Sequence, residues 1–229
     1  MQYIRKQNTP PEDWNVWFTK ASGNRSFDYQ ADNGSLVNLP IAKHFLIEEQ
    51  HGLCAYCQQF ITDANSSIEH VIPKEFNKEL STNYYNLVAV CKAQIKDSFT
   101  GKFHCDTEKG SKIITPLIFV SNSDVNGNIA NNHYFSASSD GTISSKLTLP
   151  DEIRIQVDTF IKVLNLNHEI LMNKRAKDIL GALTQVYTSL PLFQRGTYWK
   201  VQYERVLNNP KQPFRQFLLV YIGNRLGIN

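Results

Sequence analysis

Residues 54–110 read CAYCQQFITDANSSIEHVIPKEFNKELSTNYYNLVAVCKAQIKDSFTGKFHCDTEKG, a stretch that holds all four cysteines of the 229-residue chain. Cys54 and Cys57 are separated by two residues, the gap that lets both thiolates reach one tetrahedral zinc ion from a tight turn. Cys91 and Cys105 can complete a four-thiolate site, which is closed and therefore structural. Thirteen residues separate this second pair, so the segment between them must loop out. His104 is an alternative fourth ligand to Cys105. In a reducing compartment such a set holds metal more readily than it forms disulfides.

Inside this frame, Ile68-Glu69-His70-Val71-Ile72-Pro73 alternates in a way that predicts a strand ended by Pro73. A carboxylate followed directly by a histidine suits phosphodiester hydrolysis. The carboxylate can bind a divalent cation through oxygen, and a neutral imidazole can take a proton from water. Asn86 stands at the turn into a second apolar strand, where its side chain or backbone can orient the His70 ring. Asp106 opens a predicted short helix, either as its cap or as a second ligand of the cation held by Glu69. A soft thiolate cage and a hard oxygen site would not compete for the same ion.

Working outward, Pro40 opens a predicted helix, with Ile41, Phe45, Leu46 and Glu49 setting the spacing and Gly52 at its end. Before it, Trp14, Trp17 and Phe18 follow a Pro-Pro step and either pack on the body or dock a partner, and residues 22–35 read as a loop. After Gly110, an apolar run at 113–120 and short alternating pieces with VNGN and SDGT turn signals predict a few small strands. From Pro150 onward the pattern is helical. Ile153, Val157, Phe160, Ile161 and Leu164 share one face, Asn165 and Asn167 mark a stop and a cap, and a long helix runs to Pro191, with two more beyond it. Four regions result: an N-terminal segment (1–39) that is a candidate docking region, a core (40–115), a β-rich connector (116–150) and a helical region (151–229).

The net charge of +3 permits nucleic-acid binding without requiring it. The last 79 residues carry 11 Lys and Arg against 6 Asp and Glu, so any basic surface belongs to the C-terminal part. Lys174, Arg175 and Lys177 form a cluster there, read as a solvated helix face or as a contact for nucleic acid or a partner. His44, His51, His133 and His168 are read as surface, packing or first-turn residues. No apolar run reaches the roughly 18–20 residues of a membrane span, and the N-terminus lacks the apolar stretch of a secretory signal. The expectation is a cytoplasmic protein with no membrane contact.

Order and spacing together resemble the HNH endonuclease family. Its ββα-metal core runs through a CxxC, a carboxylate-His before an I-x-P step, an Asn-Leu and a final cysteine pair followed by Lys-Gly. Here the matching residues are Cys54, Cys57, Glu69, His70, Ile72, Pro73, Asn86, Leu87, Cys91, Cys105, Asp106, Lys109 and Gly110. The resemblance implies an α+β fold with a zinc-stapled ββα-metal core and His70 as general base, oriented by Asn86. It also implies Glu69 and Asp106 as ligands of a catalytic Mg²⁺ or similar ion, and Lys109 near a substrate phosphate. Asp106 stands where many members have Asn or His, and the final cysteine pair is spread apart. The MQYIRK start, EEQHGLCAYC, IEHVIPK, HCDTEKG and LNLNHEIL…KRAK are further similar to the PtuB family, HNH effectors of Septu-type and some retron anti-phage systems. That likeness implies a PtuA-like ATPase partner, and in retron versions a reverse transcriptase with its RNA–DNA product. The rivals are a non-catalytic zinc-ribbon module binding nucleic acid or protein, and a cysteine redox protein, which leaves Cys91 and Cys105 unexplained.

Overall fold

The computed structural model describes residues 4–18, 39–114, 119–120 and 134–228. The expected loop at 22–35, most of the connector around VNGN, and His133 lie outside them. The fold is α+β, with small two-stranded sheets and a helical C-terminal part. Among the described residues no helix is long and apolar enough to cross a membrane.

A two-residue strand, β1 (Ile4–Arg5), opens the described chain, and the central pair of strands that follows is antiparallel. β2 (Ser66–His70) runs against β3 (Leu87–Cys91) in a register that sets Ser66 opposite Cys91 and His70 opposite Leu87. β3 is LVAVC and every residue in it is buried, as suits a run of β-branched and apolar side chains packed within the core. β2 stops at His70, three residues before Pro73. The helix α1 (Cys105–Lys109) follows β3 after the long loop.

Helix α2 is Leu39–Glu49 and lies before the sheet in sequence. Its inward face is Ala42, Leu46 and Ile47, one residue around from the predicted stripe, and Ile41 is half-exposed. The reason is visible one residue beyond the helix. Gln50 is buried and its side-chain amide pairs with both backbone groups of Ala89, donating at 2.7 Å and accepting at 2.8 Å, so it acts as a one-residue strand partner for β3. His51 and Gly52, both with positive φ, then turn the chain into the CxxC knuckle.

The N-terminal aromatics pack on the body. Trp14 is buried, with its ring 5.0 Å from Tyr84 and 5.1 Å from Phe18, and its indole N–H donates to the Thr82 carbonyl at 2.8 Å. Lys6 is buried against Glu49 at 2.8 Å and also donates to the Leu87 carbonyl.

On the C-terminal side, the SDGT turn connects β4 (Phe135–Ala137) to β5 (Ile143–Ser145). Helix α3 (Asp151–Val163) buries Val157, Phe160 and Ile161, as its periodicity predicts. A helical path then runs from Glu169 to Ser189 with a wide π segment at Lys174–Gly181. Helices α4 (Leu192–Leu207) and α5 (Arg215–Leu226) complete the chain. Asn165 does stop α3, with φ of 46°. Asn167, expected as a cap, instead brackets both backbone groups of Ile143 at 2.9 Å, and His168 takes the cap position, accepting from the Ile170 N–H.

One apolar cluster runs through the whole described body, from Ile4 and Trp14 through the sulfur knuckle to Ile222. The helical region grips the knuckle by hydrogen bonds. The Phe214 N–H donates to the Gln58 carbonyl, the Gln216 N–H to Gln58 Oε1, and the Cys105 N–H to the Leu164 carbonyl at 2.8 Å.

Candidate metal and hydrolytic site

The four cysteines converge although the last lies 51 residues beyond the first. Their Sγ atoms all lie within 4.8 Å of one another, all are buried, and none is in a disulfide. Cys54 and Cys105 sulfurs are 4.0 Å apart, and Cys57 and Cys91 sulfurs 3.6 Å apart. These spacings are far beyond an S–S bond of about 2.05 Å. They bracket the roughly 3.8 Å edge of a tetrahedron with zinc–sulfur bonds of about 2.3 Å. Donor chemistry, number and spacing therefore fit a metal ion such as zinc.

The surroundings suit thiolates as well. The Cys91 N–H points at Cys54 Sγ (3.3 Å) and the Gln59 amide at Cys57 Sγ (3.5 Å). Against the upward push of burial, hydrogen bonds from Cys105, Cys54 and Cys91 pull the Cys57 thiol well below its ordinary range, while burial pushes Cys105 well above. His104 is not one of the four. Its Nδ1 lies 3.2 Å from Cys105 Sγ, its ring packs 5.0 Å from His168, and burial pushes it down to about 4, so the ring is neutral and acts as a neighbour of the sulfurs.

Arg175, expected on a solvated helix face or at a contact for nucleic acid or a partner, points inward. It is buried, burial pulls its guanidinium down to about 10, and the Cys57 and Asp140 charges hold it up. A zinc ion with four thiolates carries two net negative charges, and a buried cation beside it offsets part of that. Lys174 also turns toward the knuckle, donating to Gln59 Oε1 at 2.5 Å.

The second group of residues sits where β2 ends and α1 passes it. Glu69 is buried; its Oε1 accepts from the Tyr56 hydroxyl at 3.0 Å and lies 2.7 Å from Lys109 Nζ. Asp106 reaches the same place from α1 and accepts from Ser67 Oγ at 3.4 Å. Burial pushes the Glu69 carboxyl up to about 8, the facing Asp106 adds to this, and Lys109 opposes it. Two carboxylates set against each other in a dry environment repel unless a proton or a cation relieves them.

Lys109 departs from the expected phosphate contact. It is 1% exposed, and besides Glu69 it donates to the carbonyls of His70 (3.2 Å) and Gly110 (3.4 Å). It is an internal counter-charge, placed there because a helix only five residues long turns it onto the end of β2.

His70 Nε2 lies 2.9 Å from the Ser81 carbonyl. A carbonyl can only accept, so Nε2 carries the proton and, in the neutral ring, Nδ1 carries the basic lone pair. Burial pulls the His70 pKa below its ordinary range despite the Ser81 contact, which favours that neutral ring.

The Asn86 side chain makes no hydrogen bond to His70. Its Oδ1 accepts from the Ile72 N–H at 2.8 Å, and its Nδ2 donates to the carbonyls of Ile72 (3.0 Å) and Leu80 (3.1 Å). It thereby ties together both ends of the loop 72–80, and the next carbonyl, that of Ser81, meets the histidine. Trp14 braces the following residue, Thr82. Asn86 is thus linked to His70 through the loop and not by the direct bond that its expected orienting role implied.

Ser81 and Tyr56 have no role in the sequence reading, where Trp14 stands as a packing or docking residue and Arg175 as one of a basic cluster. Ser81 acts through a backbone carbonyl, which leaves no residue-type signal at all. Tyr56, wholly buried between two cysteines, left only its position as a hint. No family model matches the chain and no curated protein sequence matches it, so the chemistry has to be read from the geometry itself.

Proposed function

We propose that the chain is a metal-dependent HNH-type endonuclease, a phosphodiester hydrolase acting on DNA or RNA. In this reading β2, β3 and α1 form the ββα-metal unit, zinc on the four cysteines is structural, and the hydrolytic site is Glu69, His70 and Asp106. The observation that carries the reading is the convergence of two facing carboxyl groups, with a buried, carbonyl-anchored histidine next in sequence to one of them, on one two-strand-plus-helix unit that also carries sulfurs of the cluster. A zinc-ribbon binding module explains the sulfurs equally well but gives no reason for that convergence.

The residues divide the work as follows. His70 Nδ1 takes the proton of the attacking water while the Ser81 carbonyl holds Nε2–H and stabilises the imidazolium that forms. Asn86 is a positioning residue that fixes this carbonyl. Tyr56 and Lys109 hold Glu69 Oε1, so that Oε2 and the Asp106 carboxylate are the oxygens for a hard divalent cation such as Mg²⁺. When bound, that ion supplies charge stabilisation at the phosphoryl and leaving oxygens. The zinc knuckle clamps β3 to α1, which a unit this small cannot achieve by burial alone.

Sequence resemblance extends the proposal to a cytoplasmic anti-phage effector controlled by a PtuA-like ATPase, with a retron reverse transcriptase and its RNA–DNA product as further candidate partners. The test is cleavage of plasmid DNA and total cellular RNA with Mg²⁺ or Mn²⁺ by the wild type and His70→Ala. Each is assayed alone and with any ATPase that co-purifies, at equal zinc content. Cleavage lost in the variant with zinc retained supports the reading and names the polymer. Equal activity in both, or none on either polymer, favours the zinc-ribbon module.

A further inference from the structure

Phe99 is the most exposed large apolar side chain among the described residues, at 89%. It sits in the loop 92–104 that joins β3 to α1. This loop is not loosely held. Asp97 closes a tight turn, its N–H donating to the Lys102 carbonyl and its own carbonyl accepting from the Gly101 N–H. Asp97 Oδ1 accepts from the Phe99 and Thr100 N–H groups, and Oδ2 from the Glu169 N–H. Glu169 answers by accepting from both the N–H and the hydroxyl of Ser98, and His168 Nε2 donates to the Ile95 carbonyl. The turn is therefore bolted to the start of the helical path at Glu169, and it presents Phe99 outward by construction.

The exposed charges of the loop itself are basic, and the nearest carboxylates outside it are those of Glu169, engaged by Ser98, and Glu108, 3.9 Å from Lys102. Lys92, Lys96 and Lys102 are exposed, whereas the single acidic residue of the loop, Asp97, is buried and spent on backbone amides. Lys102 also faces Glu108 at 3.9 Å but keeps a 56% exposed side chain. Lys92 further lines a groove of about 360 Å³ with Lys43, Ser66, Ser67 and Ile68 along β2. Ser67, one of its lining residues, in turn donates to Asp106, a member of the carboxyl pair.

We propose that loop 92–104 is a contact for single-stranded nucleic acid. Phe99 stacks on an unpaired base, and Lys92, Lys96 and Lys102 receive the flanking phosphates. An outward aromatic among lysines matches a polyanion bearing flat apolar faces, whereas an apolar protein pocket would gain nothing from three ammonium groups. The proposal rests on the hydrolase reading above and adds which face holds the strand.

The experiment is fluorescence anisotropy of a labelled 20-nucleotide single strand and its duplex, without added Mg²⁺, on zinc-loaded His70→Ala protein. Phe99→Ala, Phe99→Trp and the combined Lys92→Ala, Lys96→Ala, Lys102→Ala change are compared in that background. Phe99→Ala is expected to weaken single-strand binding about tenfold, with Phe99→Trp restoring it. The lysine variant should lower the slope of log affinity against log salt by about 2. Phe99 has few contacts to lose, so melting temperatures should match. Unchanged single-strand affinity in Phe99→Ala, or no binding by the parent, overturns the proposal. Cleavage by otherwise wild-type protein, assayed in parallel, shows whether the hydrolase reading falls with it.

Discussion

Asn86 offers the sharpest test of how the site is held, because a truncation and an isosteric change at this position each carry a definite expected cost. The side chain is 5% exposed and makes three hydrogen bonds, one as acceptor and two as donor. Asn86→Ala removes all three. At a net value of about 1 kcal/mol each the loss would be ~3 kcal/mol, but Ile72 is 40% exposed and water can replace part of it, so about 2–3 kcal/mol is expected. For a chain of this length that lowers the melting temperature by roughly 4–12 °C. Asn86→Asp keeps the shape and the bond from the Ile72 N–H. It also aims a carboxylate oxygen at two carbonyls that now sit 3.0 and 3.1 Å from an amide nitrogen. Two donors are lost and a repulsive contact is gained, so aspartate should cost at least as much as alanine. Both variants free the Ser81 carbonyl, so where cleavage is measurable kcat should fall with KM little changed. The assay is thermal unfolding of zinc-loaded protein followed by circular dichroism, with cleavage kinetics alongside. An Asn86→Asp protein melting within about 2 °C of wild type would refute the clamp.

Three further outcomes follow from the geometry. Metal analysis should find one zinc per chain, and stripping it or changing any of the four cysteines to serine should unfold the core, because zinc binding of order 10 kcal/mol is comparable with the whole stability of a domain; metal-free protein with native near-ultraviolet dichroism would contradict this. Lys109→Met should cost about 3 kcal/mol in urea unfolding by orphaning Glu69, and adding Glu69→Gln should recover much of it, whereas strictly additive effects would show that the 2.7 Å pair is not coupled. Asp97→Asn should loosen loop 92–104 by about 1 kcal/mol, read as faster amide exchange at Phe99 and Thr100. The bond from the Glu169 N–H, followed by those from Thr100 and Phe99, holds the Asp97 carboxyl down to about 2 from its ordinary 3.8. A depressed carboxyl contributes fully above the unfolded value and loses its contribution as pH falls toward 2, so the wild-type-to-variant difference should stay constant from pH 7 to about 5 and shrink between about pH 4 and 2. A difference that stays unchanged down to about pH 2 would show that the carboxyl is not depressed.

The sequence alone determined what depends on local pattern and residue type. Two strands and a helix in that order follow from the alternation around Ile68, the LVAVC run and the DTEK turn. The face of α3 is legible because Val157, Phe160 and Ile161 recur at helical spacing. Four cysteines within 52 residues, two of them as CxxC, announce a metal cage before any coordinate is known, since few other arrangements have a use for them.

What only the tertiary structure decided is how long-range contacts assign direction and partner. Lys109 and Arg175 look like surface cations in sequence, yet each is buried, because Glu69 and the sulfur cluster arrive from elsewhere in the chain to receive them. The inward face of α2 is set by Gln50 reaching Ala89, thirty-nine residues on. Cys105, and not its neighbour His104, joins the sulfur set, a choice the backbone makes by giving Cys105 a φ of 56° and binding its N–H to the Leu164 carbonyl. The histidine's partner is a carbonyl that any residue at position 81 would supply. Side-chain identity carries no information about such a bond; it exists only once the loop 72–80 has been folded back and tied.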